Sequence, residues 1–314
     1  MERDIRQIRK RFSHIGMVFC AFWAASFGGQ FLIWTILSKT GVDQLISLRT
    51  AALVIAAGGM YLVGFPVYLL LMGRIPAQPL PEGTEKRLSP TGFAVSFSVC
   101  MGMVMAGSLL GRLAFLVISI LRGLPLDLLL LSPGYSFGGN LALEVLLYTG
   151  IAPIVEELIF RKMLIDRIRD YGDRTAILIS GLIFGLVCGN FLQLFTAFGM
   201  GMVLAYLYLR TGNVKNTILL RMAINLFVIN MRRGLFLWGM VSFPAEILFN
   251  AYSALLVLCA FGGICMMVCL RNRRHFRRGE QELSLPLLAR TAFGNVGMIL
   301  FLAVCALSFR ISIR

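Results

Sequence analysis

The chain has 314 residues, of which 58% are hydrophobic and only 14% charged, with a mean hydropathy of +0.81 and a formal net charge of +15. That balance excludes an ordinary soluble domain. It also excludes a nucleic-acid-binding reading of the charge, because the basic residues fall in short segments between apolar runs rather than on one polar face.

A bilayer core takes about 20 mostly apolar residues per helical span, so the expected fold is an all-α polytopic transmembrane bundle of about eight or nine spans. In chain order the candidates lie near 15–37, 51–72, 93–120, 141–160, 175–191, 193–209, 217–230, 247–270 and 291–309. The basic "MERDIRQIRKRF" before the first span fits a retained anchor with a cytoplasmic N-terminus. The alternation then puts 21 basic residues on the cytoplasmic side and seven on the other, Arg232 and Arg233 among the seven. A bacterial plasma membrane is the expected location.

Between the second and third spans, "GRIPAQPLPEGTEKRLSP" reads as a mobile cytoplasmic connection, within a loop at 73–91. The run "LPLDLLLLSPG" is a re-entrant or interfacial segment, and "RNRRHFRR" after the eighth span is a stop-transfer cluster able to meet anionic headgroups. Seven scattered cysteines with no CxxC pair argue against a disulfide framework or a zinc knuckle. Three regions follow: N-terminal helices over 1–140, a core over 141–230 and C-terminal helices over 231–314.

Ionisable residues inside the apolar runs carry the functional signal, since each costs roughly 2.5–3.5 kcal/mol at mid-span on insertion scales. They are Glu144, Glu156, Glu157, Arg112 and Arg221. In "EELIFR", Glu157 and Arg161 are helical i,i+4 neighbours suited to an ion pair, while Glu156 points about 100° away. A bland reading makes this a helix end with one surface pair and one solvated acid. The other two stretches are "FGLVCGN" at 184–190 and "ILLRMAINL" at 218–226.

Together the three stretches resemble the intramembrane protease family of the type II CAAX prenyl proteases and the bacteriocin-processing and immunity (Abi) proteins, also called CPBP. The resemblance covers about residues 141–230. The family's first motif, two glutamates and an arginine, is matched by Glu156, Glu157 and Arg161. In the second, Phe184 is in place but Cys188 stands where the family has histidine. In the third, Asn225 is present but Arg221 occupies the histidine position. The chain's only histidines are His14 and His275, both outside the expected spans.

The resemblance implies that Glu156 would activate a water against a peptide carbonyl, with histidine and asparagine holding a metal or an oxyanion. A zinc site wants three protein ligands, whereas Glu156, Cys188 and Asn225 make a poor set beside the cation of Arg221, so no cofactor is expected. Arg221 and Glu156 are expected instead to form a buried ion pair in place of the catalytic water. The expected function is that of a family homologue with impaired catalysis. An active glutamate-dependent endopeptidase is the alternative, with a transporter as the outsider. Expected partners are membrane lipids and a membrane-anchored or amphipathic peptide or partner protein.

Overall fold

The computed structural model describes residues 2–42, 45–78, 80, 85–123, 140–269, 276, 277, 279 and 285–312. The "LPLDLLLLSPG" run, His275 and most of "RNRRHFRR" lie outside the described residues. Among the described residues every element is helical and none is a strand, and a helix satisfies within itself the backbone amides that have no water to bond in hydrocarbon.

Among the described residues ten helices follow one another: α1 (Glu2–Thr40), α2 (Leu48–Gly73), α3 (Pro90–Arg122), α4 (141–168), α5 (Asp173–Val187), α6 (Phe191–Thr211), α7 (Val214–Gly239), α8 (Phe243–Cys269), α9 (Leu285–Phe293) and α10 (Val296–Ser312). Each of the nine expected spans overlaps a helix, but 175–191 runs past the end of α5 at Val187 and 291–309 straddles the break between α9 and α10. Among the described residues, six helices are long and apolar enough to cross a membrane, seven if the α9–α10 pair, bent by 77°, counts as one span. The chain is a multi-pass integral membrane protein. The helices outside that set are α4, which carries the glutamates, and α5, which has 15 residues.

α1 packs against α2 and α10, α6 lies between α3 and α5, and α8 leans on α3. Small residues set these distances, as expected where helix association depends on close packing rather than on hydrophobicity. In "AFGMGMVLAY", Gly199 faces Met103 of α3 and Gly201 faces Gly181 of α5, so the glycines serve contacts within this molecule. Gly263 of α8 lies directly on the Ser98 carbonyl of α3. Gly263→Val should therefore push α8 off α3 and cost about 1–3 kcal/mol, the usual range for overpacking. A thermal melt of the purified variant checks this.

Two features differ from expectation. The connection before α3 is tethered at its described residues: the Gln78 amide donates to the Asp166 carbonyl at 2.7 Å, the Lys86 amide to Thr211 at 2.8 Å, and the Asn216 side chain to the Lys86 carbonyl at 2.8 Å. Main-chain groups outbid the mobility that proline and glycine suggest. α7 also continues to Gly239, past the expected end at 230, so Arg232 and Arg233 are helical residues instead of loop residues.

Candidate functional site

α4 supplies the glutamates, and its backbone is not a uniform α-helix. It widens into π-helical turns at Leu146–Ile151 and Leu158–Met163, and α7 does so at Asn225–Met231. Such widened turns concentrate at functional sites. Among the described residues a fourth such turn lies in α2 at Gly59–Gly64, and the other three fall on the two helices that meet along a polar seam.

Four contacts bridge that seam. The Arg221 guanidinium meets the Glu156 carboxylate at 3.0 Å. The Asn225 amide donates to the Tyr148 carbonyl at 2.7 Å, and the Asn230 amide to the Thr149 hydroxyl at 2.5 Å. At the far end Arg233 is ion-paired with Glu144, and both are buried. Polar side chains that cross between helices are the common way for membrane bundles to satisfy groups that lipid cannot.

The "EELIFR" stretch is not a helix end with a surface pair. Glu157 and Arg161 are both 0% exposed and in contact at 3.1 Å. Arg161 also donates to the Ser180 hydroxyl of α5 at 3.3 Å, and that hydroxyl donates onward to the Phe160 carbonyl at 2.9 Å. The guanidinium is therefore fixed from two helices.

Glu156 lies on another face, as the 100° step requires, and with Arg221 it forms the more accessible pair, their side chains 21% and 13% exposed. Arg221 is further held by the Met200 sulfur at 2.9 Å. The Phe184 ring serves both cations, with Arg161 at 5.2 Å and Arg221 at 5.3 Å from its centroid. Such contacts are worth about 0.5–2 kcal/mol, more when desolvated. The four charges act on one another as a single neutral cluster of two acids and two guanidinium groups.

Cys188 caps the end of α5, one turn beyond Phe184, and donates its thiol to the Phe184 carbonyl at 3.4 Å. It lies close enough to Glu156 and Arg221 for both charges to act on it. Asn225, one turn along from Arg221, is engaged with Tyr148 and so serves the seam. Glu156, Cys188 and Arg221 thus lie near one another from α4, α5 and α7, while Asn225 reaches α4 at Tyr148, eight residues before Glu156. His14 is a residue of α1.

Sequence reading missed several members. The charge count assigns Arg233 to the non-cytoplasmic side, yet it is ion-paired with buried Glu144. Tyr61 of α2 stands near enough to Glu156 and Arg221 to feel both charges, and Met200 completes the Arg221 shell. The one available signal was Glu144 itself, a buried acid that calls for a cation from somewhere.

Among the described residues no group of three or more His, Cys, Asp or Glu side chains converges in a metal-like arrangement. The donor chemistry agrees. Glu156 is held by a guanidinium, the Cys188 thiol by a carbonyl, and the Asn225 amide by Tyr148. Zinc would need such ligands free and convergent, so these residues do not fit a zinc centre.

Residues 138–227 match the family model described as type II CAAX prenyl endopeptidase Rce1-like. The match covers less than a third of the chain and contains α4, α5, α6 and the first half of α7. No curated protein and no solved structure matches the chain.

Proposed function

We propose that this type II CAAX-protease-like membrane protein is a homologue whose hydrolytic site is blocked by its own ion pair, Glu156 with Arg221. The 3.0 Å contact carries the reading. A general base must hold a water and accept its proton. One oxygen of the Glu156 carboxylate is already taken by the fixed guanidinium and is not free to hold that water. No metal takes part in this proposal, because the donor set does not suit one.

The fold would then present a polar, charged pocket within the bilayer that binds a membrane-anchored or amphipathic peptide, or a partner protein, without efficient cleavage. A second reading has support in the partial exposure of Glu156 and Arg221: a peptide could reach them, with Arg221 holding the oxyanion. Purified protein offered a library of membrane peptides separates the two. The blocked-site reading expects cleavage at background, unchanged in Glu156→Ala. Cleavage by the wild type that disappears in Glu156→Ala would establish the active reading.

A further inference from the structure

Across α6 from the charge cluster lies a cavity of about 540 Å³, walled by Val99 and Met103 of α3, Leu178 of α5, and Met202 and Val203 of α6. Met200 of the same helix faces the other way, onto Arg221. Most of the wall is apolar and half-buried, and Leu178 at the rim is exposed. The slot therefore opens sideways, toward lipid.

One end of the slot is basic. Arg174, the second residue of α5, lines it and is exposed, its guanidinium 5.1 Å from the Phe276 ring centroid. Arg210 lies over the Tyr206 ring at 5.9 Å, and Tyr206 lines the same end. The carboxylate of Asp173, the neighbour of Arg174 in sequence, accepts the Arg277 amide at 2.8 Å. This is the end of the bundle where α3 and α5 begin and α6 and α8 finish, as the bonds from Lys86 to Thr211 and from Arg277 to Asp173 require.

We infer that this slot is a binding site for an anionic phospholipid, one acyl chain lying along Val99, Met103, Met202 and Val203 and the phosphate meeting Arg174. An apolar trough that ends in cations is complementary to that amphiphile and to no water-soluble anion. The residues of the charge cluster take no part, so the inference stands apart from the proposed function.

The test is native mass spectrometry of the detergent-purified full chain, after exposure to phosphatidylglycerol or phosphatidylcholine of the same acyl length. About 1 kcal/mol per basic residue near an anionic surface corresponds to about fivefold in binding. The expected result is preferential retention of phosphatidylglycerol, falling about fivefold in Arg174→Ala. Val203→Trp fills the slot and should abolish retention, and Leu178→Trp at the rim should do the same if the first variant melts early. Equal retention of the two lipids would overturn the inference. So would undiminished retention in a folded tryptophan variant, since attraction to surface charge alone would survive the filling. Lipid-free protein recovered as a dimer would assign the slot to a second copy and overturn it too.

Discussion

Arg161→Met lowers the stability of the bundle by about 3–5 kcal/mol, the cost of leaving a buried charge without its partner. Glu157 is 0% exposed and touches Arg161 at 3.1 Å. With the guanidinium gone, Glu157 must be buried uncompensated or take up a proton, and Ser180 and Phe184 lose a partner as well. The double variant Glu157→Gln with Arg161→Met should recover most of the loss, because removing both members of a buried pair is often close to neutral. Lys162→Met supplies the contrast. Lys162 pairs with Asp166 at 3.0 Å from a side chain that is 45% exposed, and pairs that face solvent are worth about 0–1 kcal/mol. Thermal melts of the three variants in one detergent give the ranking. Equal losses in Arg161→Met and Lys162→Met would mean that the Glu157–Arg161 pair is not structural.

Cys188→His together with Arg221→His should create peptide hydrolysis where the wild type has little. The replacement removes the cation that holds Glu156 and places two imidazoles beside it, one from α5 and one from α7. Positioned acid–base groups contribute about 10²–10⁴-fold, so a rise of at least about 10²-fold over wild type is the expected outcome with a membrane-peptide substrate. Adding Glu156→Ala to the double variant should return the rate to background. Arg221→His alone should give less, since Cys188 would still stand at the second histidine position. A double variant that folds and melts as the wild type yet cuts nothing would show that the block lies elsewhere.

Much of this arrangement was readable in the amino-acid order. The apolar runs mark the helical regions, and six or seven of those helices, among the described residues, have the length and hydropathy to cross a bilayer. The spacing in "EELIFR" gives the Glu157–Arg161 pair, and the arginine at 221 gives a partner for Glu156, since an acid within the membrane needs a cation. The Glu144–Arg233 pair was not readable in the same way. Its members are far apart in sequence, and Arg233 sits beyond a π-helical stretch, Asn225–Met231, which changes the face on which later residues fall. Two adjacent arginines mark an apparent end of the span near 230, whereas a buried carboxylate lets α7 carry Arg233. The tether on the Pro/Gly-rich connection is not legible in sequence because it rests mainly on backbone amides and carbonyls, which side-chain composition does not report.

Whether Arg221 holds Glu156 in solution is tested most directly by a double-mutant cycle. Stability is measured for the wild type, Glu156→Gln, Arg221→Met and the pair. Residues in contact show coupling of about 0.5–3 kcal/mol, and the account predicts a favourable coupling of at least about 1 kcal/mol in a detergent of low ionic strength. Additive losses, with no coupling beyond about 0.3 kcal/mol, would mean that the carboxylate is free to hold water and would contradict the blocked site.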